Sequence, residues 1–274
     1  MSASLPLDTR TALLNSRRLT TAALVCAVLT IVLNIEWPLT QGQSRTATSI
    51  AGVVSFFLCS VLHSAGTKSG KFTATLLAIM PLAFLVEAFG VRTHYPFGHY
   101  SYSELLGLSV AHVPLLIPLA WIMMLYPAYL ASRYLTNNTV FSIAIGAWLM
   151  ATWDLYLDPQ MIREGYWTWF SPSGQATLNI PWTNFAGWFA TSAAFMWLLH
   201  ANDPIDVSSD ADPDALSMPS TPAAMLLWVW IGSFVANILP VSPYLNRPLV
   251  AITGFVGMGV VLIPWSWRLW LQRS

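Results

Sequence analysis

Charge is what this sequence has least of. Lys and Arg together number 12 and Asp and Glu 12 among 274 residues, so charged side chains make up only 9%. Soluble domains carry about a quarter. So sparse a charge places the chain in lipid rather than water, and the balance of signs leaves no basic surplus for a nucleic-acid partner. Cysteine is nearly absent. Cys26 and Cys59 both fall inside apolar runs with no neighbouring charge, which excludes a disulfide framework and gives no sign of a reactive thiol. The five histidines show no HxxxH or HxxEH spacing, so neither a metal site nor any cofactor is expected. No internal repeat is evident.

Hydrophobic residues make up 55% of the chain. A spanning helix needs about 20 mostly apolar residues, and such runs occur at 19–36, 47–65, 72–91, 112–134, 139–157, 180–200, 222–240 and 248–271. The expected fold is therefore all-α, a polytopic membrane helix bundle of about eight transmembrane helices. Seven is the alternative count, because only a short Pro-rich turn, Pro240 to Pro248, separates the last two runs. The fourteen tryptophans include interfacial anchors. With the N-terminus inside, Arg10, Arg17, Arg18, Lys68, Lys71, Arg133, Arg268 and Arg273 face the cytoplasm. Arg45, Arg92, Arg163 and Arg247 face out, which favours cytoplasmic N- and C-termini. The expected organisation is an N-terminal cytoplasmic segment (1–18), a six-helix membrane domain carrying the chemistry (19–200), an acidic disordered cytoplasmic linker (201–221) and a two-helix C-terminal membrane hairpin (222–274). The linker aspartates lack the glycine and closing glutamate of a calcium loop.

Charges inside spans are costly, about 2.5–3.5 kcal/mol each on insertion scales. Glu36 ends span one, Glu87 lies near the end of span three, and Asp154 and Asp158 end span five. Odd-numbered spans run the same way, so these carboxylates reach one face. His112 opens span four and Asn184 opens span six at that face, whereas His63 and His200 sit at the other. Two aromatic loops, Arg92 to Glu104 with His99, Tyr100 and Tyr102, and Arg163 to Phe170 with Trp167, join these helices. They suit either a cover over an apolar pocket or an interfacial belt. Ala147, Ala151, Asp154 and Asp158 share one face of span five, flanked by Trp148 and Trp153, and describe a close helix contact or a narrow cavity ending in acids. Pro114 and Pro118 are expected to bend the start of span four, and Pro159 to break span five.

A carboxylic acid in apolar surroundings can donate a proton near neutral pH, histidine can orient it, and aromatic faces stabilise a cation. These are the parts needed to protonate an alkene, hold a tertiary carbocation and let water capture it.

Two stretches carry a family resemblance. The first is Pro96-Phe97-Gly98-His99-Tyr100-Ser101-Tyr102, continuing to Val113-Pro114-Leu115-Leu116-Ile117-Pro118-Leu119-Ala120-Trp121 and Tyr126-Pro127. The second is Trp153-Asp154-Leu155-Tyr156-Leu157-Asp158-Pro159-Gln160-Met161, then Gly165-Tyr166-Trp167-Thr168-Trp169 and Pro181-Trp182-Thr183-Asn184-Phe185-Ala186-Gly187-Trp188. Over roughly residues 85–192 the chain resembles the CruF-type carotenoid biosynthesis proteins, membrane carotenoid 1,2-hydratases. The resemblance implies a hydro-lyase adding water to the terminal double bond of an acyclic carotenoid end. It also implies a carotenoid substrate in the bilayer and water as partners, with other carotenoid biosynthesis enzymes as candidate partners.

The roles expected of the residues come from the chemistry. Asp154 is the proton donor. Asp158 orients it or holds the attacking water, or instead pairs with Arg163. Glu87 is the second acid or the base, or instead pairs with Arg92. His99 and His112 assist a carboxylate, Tyr100, Tyr102, Trp153 and Trp167 line the cation, and Asn184 binds water. Three alternatives stand beside the hydratase: an acid-catalysed carotenoid end-group cyclase, a magnesium-dependent prenyl transferase, and a non-catalytic carotenoid-binding or transport protein.

Overall fold

The computed structural model describes residues 7–170, 176–177, 180–203, 220–239 and 246–271. Each expected span falls on one of eight helices among the described residues: α1 (Leu7–Glu36), α2 (Gly42–Thr67), α3 (Gly70–Thr93), α4 (Leu116–Leu135), α5 (Thr139–Arg163), α6 (Trp182–Asn202), α7 (Thr221–Ile238) and α8 (Pro248–Leu271). The protein is an all-α, multi-pass membrane bundle. Six helices (α1, α2, α3, α5, α7 and α8) are long and apolar enough to cross a membrane by length and composition alone. The other two, α4 (20 residues) and α6 (21 residues), are long enough but carry more aromatic and polar side chains. α4 touches α2, α3, α5, α6, α7 and α8, and every residue from Trp121 to Tyr129 is buried. A helix enclosed by protein can carry hydroxyls if neighbours satisfy them. Tyr126 Oη lies 3.0 Å from His63 Nδ1 and Tyr129 donates to Asp203 at 2.8 Å, so His63 belongs to this core.

Local chemistry sets the helix ends. The hydroxyl of Ser69 accepts from Phe72 N–H and the Asn138 side chain from Phe141 N–H, each capping the helix that follows. α3 stops where His94 turns left-handed, with φ 64°.

α1 begins at Leu7 and takes in the whole expected run 19–36. Two expectations about helix boundaries are corrected. Span four does not open at His112. Residues 109–114 form a hairpin, β2 (Ser109–Val110) with β3 (Val113–Pro114), following β1 (Tyr100–Tyr102). Ala111 and His112 both have positive φ, as a two-residue turn between twisted strands requires. Pro114 is therefore in a strand and Pro118 in the first turn of α4, where a missing N–H costs nothing, so neither bends the helix. Pro159 does not end α5, which continues to Arg163, and Arg247 Nη1 donates to the Pro159 carbonyl at 2.5 Å. Three more short strands follow, β4 (Trp167–Trp169), β5 (Ala176–Thr177) and β6 (Ile180–Pro181). Residues 204–219 of the acidic segment, and 240–245 of the Pro-rich turn, lie outside the described residues. Asp203, at the end of α6, pairs with Lys68 Nζ at 2.6 Å. The α7–α8 pair packs against α4, α5, α1 and α2.

A candidate active site at the ends of α3 and α5

The two aromatic loops meet as an antiparallel ribbon. β1 pairs with β4 in the register Tyr100 to Trp169, Ser101 to Thr168 and Tyr102 to Trp167. Side chains alternate along a strand, so the two tyrosines and two tryptophans share the face turned onto the bundle while Ser101 and Thr168 are exposed. Tyr100 and Tyr102 donate to Glu87 Oε2 at 2.7 and 2.9 Å, and Trp121 Nε1 donates to Glu87 Oε1 at 2.9 Å. On the other strand Trp167 Nε1 donates to Asp158 Oδ1 at 2.6 Å. Tyr102 and Trp167 meet edge-on at 5.7 Å, so one ribbon carries a donor to each of two carboxylates. Burial, and then the facing Glu87 carboxylate, push the Tyr100 and Tyr102 phenols above their ordinary range, which keeps both as donors.

Asp154 and Asp158 are one helical turn apart on α5. A single nitrogen, Asn184 Nδ2 at the start of α6, lies 2.5 Å from Asp154 Oδ2 and 2.8 Å from Asp158 Oδ2. One amide bridging two carboxyl groups sets them side by side. Asp154, Asp158, Asn184 and Glu87 are all buried, and Asp154 Oδ1 has no hydrogen-bond partner. The alanines below are a helix contact rather than a cavity wall. Ala147 and Ala151 are fully buried, and a Cβ added at the adjacent Gly146 would fall 2.7 Å from Met196 Cε of α6.

A cavity of about 910 Å³ opens beneath the ribbon. Asp158, Glu87 and Asn184 line it, with Tyr100, Tyr102, Trp153 and Trp167; Asp154 does not. Trp121 stacks on Trp188 at 4.1 Å, and Trp153 stands edge-on to Trp188 at 5.9 Å. Among the described residues lining the cavity there is no Lys, Arg or His.

The structure does not bring His99 or His112 to the carboxylates. His99 is exposed, stacked on His94 at 3.8 Å and beside Phe170 at 4.6 Å, because the strand alternation turns it away from the bundle. His112 is exposed in the turn of the β2–β3 hairpin. Glu36 is exposed at the end of α1. The polar partners of Asp158 are Trp167 and Asn184 and those of Glu87 are Tyr100, Tyr102 and Trp121, in place of the arginine pairings considered above. Trp121, Trp169 and Trp188 were not singled out from the sequence, because one indole reads like any interfacial anchor. Their signal is that they close the same stretches that hold Tyr100, Asp158 and Asn184.

A family model described as "carotenoid biosynthesis protein" matches residues 45–258. One curated relative, a bisanhydrobacterioruberin hydratase from Haloarcula japonica, is 27% identical over 172 residues. That alignment covers 60% of this chain and 57% of the relative, so it spans little more than half of the relative's length. No solved structure matches. The family match takes in both strands of the ribbon, Glu87, the Asp154–Asn184–Asp158 bridge and the α7 wall of the cavity, and the chain belongs to the carotenoid biosynthesis protein family.

Proposed function

We propose that this protein is a carotenoid hydratase, adding water to the terminal 1,2 double bond of an acyclic carotenoid end. The observation that carries the reading is the bridged Asp154–Asp158 pair set at the end of an apolar, tryptophan-walled cavity. Two carboxyl groups held by one neutral amide, with no basic side chain among the described lining residues, share a proton, because two like charges side by side in apolar surroundings repel. Asp158 reaches the substrate, so the donor role expected of Asp154 passes to it. Asp154 becomes the positioning partner that holds the shared proton.

Asp158 delivers its proton to C2 of the terminal alkene, whose π electrons form the new C–H bond and leave a tertiary cation at C1. The pair is then fully anionic, its Asp158 member faces that cation, and Glu87 lines the same cavity. The Trp121, Trp153 and Trp188 faces stabilise the cation further, by about 2 kcal/mol or more for a desolvated cation–π contact. Water adds at C1, and the proton it sheds returns to the carboxyl pair. The cycle closes with one water gained and no net proton moved. Glu87, held by three donors, is a fixed acceptor that keeps its place through the reaction.

A diphosphate substrate would need cations that the described cavity lining lacks, which disfavours a prenyl transferase. The reading also takes both termini as cytoplasmic, from the loop arginines and lysines, and takes the acidic segment as a cytoplasmic linker between a six-helix unit and the C-terminal pair. The test is the pigment mass in a lycopene-producing host. A gain of one water per treated end supports hydration, unchanged mass with ring formation indicates a cyclase, and unchanged bound pigment indicates a carrier.

A further inference from the structure

The cavity has two kinds of wall. On the side supplied by α3, α4, α5 and α6, Glu87, Trp121, Asp158 and Asn184 have almost no exposed surface. Five other lining residues are exposed on the outside of the bundle as well: Asn34 and Ile35 (57%) of α1, Leu39 just beyond it (77%), and Ile231 (43%) and Val235 (41%) of α7. Residues that face both the cavity and the exterior mark where the one opens into the other. Four of the five are aliphatic, and the side-chain oxygen of the fifth, Asn34, is taken up by an indole across the seam, so this rim suits hydrocarbon rather than water. The odd-numbered helices α1 and α7 run the same way as α3 and α5, so their C-terminal halves lie at the level of the carboxylates. Across the seam Trp228 Nε1 donates to Asn34 Oδ1 at 3.0 Å. Beside that bridge two lining positions are glycine. A Cβ at Gly232 would meet nothing closer than Trp228 at 3.6 Å, and one at Gly52 nothing closer than Asn34 at 3.7 Å, so both leave bore open where ordinary side chains would fit.

We infer that the seam between α1 and α7 is a lateral portal through which a linear hydrocarbon chain enters from the bilayer end-first. Its reacting end reaches Asp158 and the rest of the chain stays in lipid. This deepens the proposed function and rests on its substrate class. The cavity then takes one chain end at a time, and a substrate carrying two reactive ends must leave and re-enter. Gly232 and Gly52 set the bore, and the Asn34–Trp228 bridge is the crossing that the chain displaces or passes.

The test separates portal from chemistry. Ile231→Cys and Val235→Cys variants are placed in phosphatidylcholine vesicles and labelled with N-cyclohexylmaleimide, with and without lycopene, and the wild-type Cys26 and Cys59 reaction is subtracted. Val256→Cys, on the exposed face of α8 away from the cavity, is the control. Lycopene is expected to slow labelling at 231 and 235 several-fold and to leave 256 unchanged. Protection of that pattern without any gain of water keeps the portal and sinks the hydratase reading. Unprotected cysteines in a protein that still hydrates lycopene overturn the portal and leave the hydratase reading standing. Loss of both protection and hydration sinks both.

Discussion

One amide nitrogen, that of Asn184, holds Asp154 and Asp158 together, and the difference on which the proposed roles rest is that Asp158 lines the cavity and Asp154 does not. Asp158→Asn keeps the shape and removes the transferable proton. It is expected to lower hydration by about a hundredfold or more, the usual contribution of a positioned general acid. Asp154→Asn should cost less, because it leaves the donor in place. Both are read from product per inserted, folded protein, and equal activity of Asp158→Asn and wild type contradicts the assignment. The tyrosines make a second prediction. Ordinary phenols ionise near 10, but burial and the Glu87 carboxylate raise both Tyr100 and Tyr102. A raised value extends the neutral, donating form upward in pH. The Glu87 clamp should therefore survive the pH at which exposed tyrosines titrate, and a spectrophotometric titration of the folded protein near pH 10 should be the same for wild type and for a Tyr100→Phe/Tyr102→Phe variant. Tyr102→Phe removes one donor to a charged acceptor, worth about 1.5–3 kcal/mol, and is expected to reduce turnover without unfolding the chain.

At the scale of elements, the ribbon and the ends of α2 and α5 fix the site. Arg45, at the start of α2, donates to Glu164 at 2.9 Å, sits over the Trp37 ring at 4.7 Å and donates to the Thr40 carbonyl. Both members of the pair are largely buried, and removing one partner of a buried pair costs about 3–5 kcal/mol. Glu164→Ala should lower the unfolding temperature clearly, measured by thermal unfolding in detergent, and a change within error would show that the pair carries no such weight. The elements were unequally legible in the sequence. The eight helices announced themselves through apolar runs of spanning length, and the Tyr100 and Trp167 loops through their aromatics. The β2–β3 hairpin did not. Pro114 and Pro118 look like kink residues in a one-dimensional pattern, and only the left-handed backbone at Ala111 and His112 shows that the chain is still turning there. The same hairpin carries His112 out of the site.

At the scale of the whole molecule, helix parity correctly grouped Glu87, Asp154, Asp158 and Asn184, because every crossing reverses direction. It also grouped Glu36 and His112, which stand apart, since parity fixes height in the bundle and not the direction a side chain faces. The contribution of α7 to the cavity was invisible for another reason: it depends on how α7–α8 packs, which no local pattern encodes. The assembled cavity suits proton chemistry on a hydrocarbon, and among the described residues no group of three or more His, Cys, Asp or Glu is placed to hold a metal. Treatment with EDTA is expected to leave hydration unchanged, and loss of activity restored by magnesium would favour the transferase alternative.

The most direct measurement is to supply the purified protein with lycopene in deuterium oxide and locate the label in the product. Delivery of a proton to the alkene followed by water capture predicts one deuterium fixed on C2, next to a new tertiary alcohol at C1. A hydrated product without deuterium on carbon, or a substrate returned at unchanged mass, would contradict it.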